Sequence, residues 1–498
     1  MEKIGQVAAA GPGWPPATAQ APALWGPPLL LFCALGGGAL LGWSAYQGQV
    51  EFFLALLLAG VVAAVILPRP AWVIMALISM MLLTYPDILQ GRGLLTINNL
   101  LGAMLAILLL VRVLVSHDLW FLREREVKIF ILLGLLFLIS TAAAEYILPE
   151  FSQPPLTEEG RVIPDFTRSW LKDFFSRVAF VLFFVNFITT RRQVRYVLLT
   201  VLTCILVVAP PALEGYMSAS GQGSLRVSPD KWTGSGWVSN PNHFAFMCLL
   251  GISLLFYFAQ TTRRHSLRLC AALAAVTLTA LALLAGSRSG FLGLLFLGAW
   301  LLTRGTASGR GLRTIVLLLG VSAAFTFFLL VPPLIQERLL NLNPFHPQGE
   351  GSHSTEVRTA TLEQSFALFA QYPFFGIGLG NFRRVNMYIH GNFKPPHNSY
   401  VWALAEGGIF CLVLYLLLFS ALLKRLRLIR QQCRADPELR PLAEWVSFYM
   451  LLFLFFSFFA DVWLREIHTY LILGLSIVLQ RLAAAKVNDG HRPRRVLY

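Results

Sequence analysis

Arg288 is set in a turn of small residues, Gly286-Ser-Arg-Ser-Gly290, between two apolar stretches. A charge in that setting is costly unless it is paired or close to water. Two readings are open: a guanidinium snorkelling to an interface, or an anion site at a membrane surface. In the second, Ser287, Ser289 and the glycines would let backbone N–H groups at the start of the next helix approach the same anion.

Arg226 stands in Ser224-Leu-Arg-Val-Ser228, shortly before Asn240-Pro-Asn-His243 opens a helix. A lone loop arginine is ordinarily a solvated residue, and Asn240 or Asn242 is most simply a cap. A long polar insertion, residues 334–397, holds the densest set of reactive groups: Arg358, Glu363, Tyr372, Arg383, Arg384 and His397. The pattern predicts an amphipathic helix over 356–371, with Leu362, Phe366 and Phe369 on one face and Ser354 or Thr355 as cap. Arg358 then falls in the first turn, an unfavourable place for a cation unless an anion is brought to it. His397 follows Pro395-Pro396 and starts a membrane helix, where an imidazole can exchange protons near neutral pH. It reads either as a structural hydrogen-bonder or as a general base.

Two other chemistries are disfavoured. Gly376-Ile-Gly-Leu-Gly380 looks like a phosphate loop, but it follows a helix and Tyr372-Pro373 rather than a strand, so it reads as a tight turn. His346 and His353 lie seven apart in a loop without paired carboxylates, so no metal site and no cofactor are expected. Of six cysteines none lies in the insertion, which rules out a disulfide framework there.

The elements that must position these groups are membrane helices. The chain is 56% hydrophobic and only 13% charged, and the expected class is an all-α integral membrane protein with about 12–14 transmembrane helices and one large extracytoplasmic loop. Fourteen spans can be read, near 28–46, 50–68, 71–86, 95–115, 129–148, 173–190, 193–213, 243–260, 267–286, 290–303, 314–333, 398–421, 443–461 and 469–484. Residues 1–27 form an Ala/Pro-rich tail, 28–148 the N-terminal helices, and 149–333 a core with outer loops 149–172 and 214–242. The insertion follows, then C-terminal helices over 398–484 and a basic tail, 485–498. The net charge of +15 comes mostly from short loops, a topology signal and no nucleic-acid footprint. Every second connection from the fifth span onward is rich in Lys and Arg: 123–128, 191–195, 263–268, 304–313 and 424–440. Both termini are then cytoplasmic, with Arg226, Arg288, Arg358 and His397 on the outer face.

Taken in order, four motifs resemble the O-antigen ligase superfamily, which contains O-antigen ligases and O-antigen and exopolysaccharide polymerases. They are Arg226…Asn240-Pro-Asn, then Ser287-Arg-Ser-Gly-Phe-Leu-Gly293, then Arg358…Tyr372-Pro-Phe-Phe-Gly-Ile-Gly-Leu-Gly-Asn-Phe382, then His397-Asn-Ser-Tyr…Glu406-Gly-Gly-Ile409. The resemblance covers about residues 170–480. It implies transfer of a glycan from a polyprenyl-diphosphate-linked oligosaccharide donor to a glycan or lipid-glycan acceptor, at the outer face of a bacterial inner membrane. By resemblance, Arg226 and Arg288 take the diphosphate-binding roles, Arg358 is a softer match to the same role, and His397 takes that of the essential histidine. Asp461 is matched loosely to an acidic residue near the last outer loop.

A glycosyl diphosphate is already activated, so such a transfer needs no ATP, no metal and no covalent enzyme intermediate, and it would invert the anomeric carbon. Ligase and polymerase are not distinguished. The alternative class is a lipid-linked glycan flippase or other polysaccharide transporter, which would place its charges at mid-membrane. A membrane scaffold is a third reading.

Overall fold

The structure is a computed structural model. It describes residues 69–83, 97–117, 119–147, 167–219, 240–308, 331–340, 352–460 and 466–491, with 320–321, 323 and 325–329 between them. The expected spans near 28–46 and 50–68, the tail 1–27, Arg226 and Asp461 lie outside the described residues, while the expected tail from residue 485 is helical as far as His491. Residues 74–498 form one compact unit; of the other, 1–73, only the start of the first described helix is described.

Among the described residues the chain is helical and has no strand. The helices are α1 (Pro70–Leu82), α2 (Ile97–Ser116), α3 (Arg125–Ile147), α4 (Thr167–Phe187), α5 (Arg191–Ala219), α6 (Pro241–Thr261) and α7 (His265–Leu284). Then come α8 (Arg288–Ser308), α9 (Pro333–Leu340), α10 (Ser352–Gln371), α11 (Phe382–His390), α12 (Ser399–Gln432), α13 (Leu439–Phe456) and α14 (Ile467–His491). Seven of these, α3, α5, α6, α7, α12, α13 and α14, are long and apolar enough to cross a membrane. Helix α4 corresponds to the span read near 173–190 but is not one of the seven, because Arg168, Lys172, Asp173 and Arg177 occupy its first half.

Cross-contacts fix the directions. Helix α12 runs antiparallel to α3: Arg425 pairs with Glu126, and 19 residues earlier on α12 the Glu406 carbonyl accepts from Ser140 Oγ at 3.0 Å. Helix α13 runs antiparallel to α6. Trp445 Nε1 donates to Ser253 Oγ at 3.1 Å, while at the other end Phe246 and Phe456 lie 5.0 Å apart. Helix α8 is likewise antiparallel to α13, with Trp300 stacked on Phe448 at 4.1 Å and Phe296 on Phe455 at 5.3 Å.

The bundle therefore has two distinct ends. One collects arginines. Arg425 bridges Glu124 at 2.6 Å and also pairs with Glu126, Arg191 reaches Asp436 at 3.0 Å, and Arg481 lies 4.4 Å over the Trp120 ring. Lys424, Arg425, Arg427 and Arg430 belong to the last turns of α12, not to the loop expected from residue 421, because the α12 helix continues through them. At the opposite end lie the starts of α6, α8 and α12 and the finish of α13.

The expected outer loop from Glu214 is helical in its first six residues, since α5 continues through Pro210-Pro211 to Ala219. Neighbouring helices make such prolines tolerable inside a bundle. The insertion is more helical than expected: besides α10 it contains α9 and α11.

Candidate active site

Helix α6 starts with Asn240 as cap, its side chain accepting the Asn242 N–H at 2.9 Å, and with Pro241 at the first helical position. Asn242 Oδ1 in turn accepts Ser287 Oγ–H at 2.7 Å, and Ser289 Oγ lies 2.9 Å from Ser287 Oγ. This polar knot joins the starts of α6 and α8, and Arg288 is the first residue of α8. One expectation is corrected here. Ser287 Oγ accepts the Gly290 N–H at 3.1 Å, so that N–H caps the helix and is not held open for an anion. Arg288 itself is half-buried at this end.

One turn further along, Gly293 brings α8 against two neighbours at once. A Cβ there would stand 2.5 Å from Leu249 Cδ1 and 2.8 Å from Phe456 Cε2. The glycine in this motif therefore serves packing, seating the start of α8 on the end of α13.

The start of α12 is tied to the same α13 end. Ser399 N–H donates to the Ser457 carbonyl and Ser399 Oγ to the Ala460 carbonyl, both at 2.8 Å, and Tyr400 Oη reaches the Leu454 carbonyl at 2.8 Å. Asn398 caps the helix, accepting the N–H groups of Tyr400 at 3.0 Å and Val401 at 3.2 Å. His397 thus stands just outside the helix, half-buried, and not as its first residue. Arg288, at the start of α8, and His397, just before α12, therefore lie at the same end of the bundle.

Arg358 is corrected as well. Helix α10 begins at Ser352, four residues before the expected start, so Arg358 lies in its second turn and the conflict with the helix dipole falls away. Ser354 and Thr355 are helical residues rather than caps. The helix packs along α12 with Thr361 and Ser365 fully buried, and Gln364 Oε1 accepts Asn392 Nδ2–H at 3.2 Å from the segment leading to His397.

The Gly-rich run is the tight turn that was expected, but its partner was not legible. It docks into a break in α12. Gly408 has φ 66° and ψ −169°, and around it Ile377 N–H donates to the Ala405 carbonyl, Gly378 N–H to the Glu406 carbonyl and Ile409 N–H to the Pro373 carbonyl, at 3.0, 3.0 and 2.8 Å. Gly376, at φ 66°, passes so close that a Cβ would lie 2.6 Å from the Ala405 oxygen.

Sequence reasoning named Glu406 only as part of a motif. In the structure its side chain is fully buried and accepts the Phe382 N–H at 3.1 Å. A carboxylate inside the apolar stretch Tyr400–Phe419 was the available signal. A second missed group is His468, whose Nδ1 lies 2.5 Å from Tyr449 Oη and whose ring meets Phe246 at 4.8 Å. Among the described residues no three His, Cys, Asp or Glu side chains group as a metal site requires.

Residues 273–416 match the sequence model of the family described as O-antigen ligase. No curated protein matches the chain. The matched stretch runs from within α7 to within α12, so it contains Arg288, Arg358, His397 and the Glu406-Gly407-Gly408 break. Together with the helices long and apolar enough to cross a membrane, this match supports the O-antigen ligase superfamily over that stretch.

Proposed function

We propose that the protein is a membrane glycosyltransferase that moves a glycan from a polyprenyl diphosphate carrier to an acceptor hydroxyl, as an O-antigen ligase or polysaccharide polymerase does. The observation that carries this reading is the family match across α8 and the start of α12, which bring Arg288 and His397 to the same end of the bundle. The lysine- and arginine-rich end opposite supports an orientation with that end in the cytoplasm and the reaction on the outer face of a bacterial inner membrane.

The chemistry follows from the residue types. His397 takes the proton of the acceptor hydroxyl as its oxygen attacks the anomeric carbon. The bond from that carbon to the phosphate oxygen breaks, and its electron pair leaves with the polyprenyl diphosphate. Arg288, with Arg226 and Arg358, stabilises the charge that grows on the diphosphate. Attack opposite the leaving group inverts the anomeric centre.

The test is donor turnover by purified protein in lipid, with a polyprenyl-diphosphate oligosaccharide and either a second molecule of it or a lipid-linked core glycan as acceptor. His397→Ala and Arg288→Ala should each lower transfer by about 100-fold or more, and EDTA should leave it unchanged. Full transfer by both variants refutes the reading. Translocation of the lipid-linked glycan without donor turnover would instead identify a flippase, and the product separates ligase from polymerase.

A further inference from the structure

Glu406 has no part in the scheme above, yet it is a carboxylate of 0% exposure in an apolar helix, where such a group is costly without compensating partners. Its backbone donor comes from the segment that leads to His397: Oε1 accepts the Phe382 N–H at 3.1 Å. Phe382 is the first residue of α11, so the negative group also sits where that helix's dipole favours it.

The path of the chain gives this bond a consequence. From Phe382 it runs through α11, turns at Gly391, passes Pro395-Pro396 to His397, enters α12 at Asn398 and arrives at Glu406. The Phe382–Glu406 bond therefore closes a loop that contains His397. Within the loop Asn386 Nδ2 donates to the Asn392 carbonyl at 2.8 Å, and from outside Gln364 holds Asn392.

We propose that Glu406 is a positioning residue for glycan transfer: its carboxylate clasps the base of the 382–406 loop and sets where His397 stands relative to the acceptor hydroxyl. The proposal rests on the reading that His397 takes the acceptor proton. The carboxylate offers an acceptor to the Phe382 N–H and a negative charge to the start of α11. Glutamine keeps the acceptor but removes the charge, and alanine removes both. The order of turnover should be Glu, then Gln, then Ala. Nothing in the role touches the diphosphate, so donor KM should not follow.

The experiment measures kcat and donor KM of the full chain in lipid, with the same polyprenyl-diphosphate oligosaccharide and acceptor, for wild type, Glu406→Gln, Glu406→Ala and His397→Ala. Expected are losses in kcat of about 10-fold for Gln and about 100-fold for Ala, the latter the scale of a misplacement near 1 Å, with donor KM within about threefold of wild type. Wild-type kcat in both Glu406 variants, or equal loss through kcat and donor KM, overturns the proposal. Glu406→Gln decides alone if Glu406→Ala does not fold. Transfer by His397→Ala overturns the reading of His397 and the proposal with it, whereas inactive His397→Ala beside fully active Glu406 variants overturns the proposal only.

Discussion

Replacing Gly408 by alanine should unseat the turn that α12 holds in its break. The backbone there has φ 66° and ψ −169°, a region essentially reserved for glycine that costs another residue of order 1–3 kcal/mol. The new Cβ would also stand 2.2 Å from the Phe374 carbonyl oxygen, where ordinary contact needs 3.4 Å. The obstacle is backbone and cannot swing aside, so the 372–380 turn must retreat by about 1.2 Å. Retreat strains three backbone hydrogen bonds across the break, each with a net contribution of roughly 1 kcal/mol. The summed cost is about 3–6 kcal/mol. Because the same turn leads into α11 and on to His397, transfer should fall by about 100-fold. Thermal unfolding in detergent and donor turnover in lipid measure the two effects. Gly298→Ala is the control: its Cβ meets nothing within 4 Å on α8, and it should be neutral or stabilise by up to about 1 kcal/mol. A Gly408→Ala protein that melts and transfers like wild type would refute the reasoning.

At the arginine-rich end, Arg425→Ala leaves Glu126 buried without its partner and should cost about 3–5 kcal/mol in thermal unfolding. Changing both residues to apolar ones of similar size should recover most of that loss. Ser287→Ala removes the cap of α8 and its link to Asn242, costing about 0.5–2 kcal/mol. Asn242→Ala and Ser287→Ala should then be non-additive in a double-mutant cycle, and both should raise donor KM by displacing Arg288.

Much of the frame was legible because it is written in local composition. The spans near 243–260 and 267–286 match α6 and α7 within a few residues, since an unbroken apolar run bounded by Arg263 and Arg264 leaves little choice. Asn240-Pro241 announced the start of α6 by chemistry that needs no tertiary partner. Boundaries failed where no local signal stops a helix. Helix α12 continues past residue 421 through Lys424 and Arg430, and Arg425 tolerates burial there only because Glu124 and Glu126 arrive from α3.

What the sequence alone determined is therefore the class of the protein and the groups that are candidates for its chemistry: apolar helices, a polar insertion, Arg288 in its small-residue turn and His397 after its prolines. These are consequences of hydrophobicity and backbone preference within a few residues. Only the tertiary structure decided that Gly408 opens α12 to receive the Gly376–Gly380 turn, and that the Glu406 carboxylate meets the N–H of Phe382. Such contacts join residues tens to hundreds of positions apart. Shape and hydrogen-bond complementarity select them, and neither is carried by a local run of residue types.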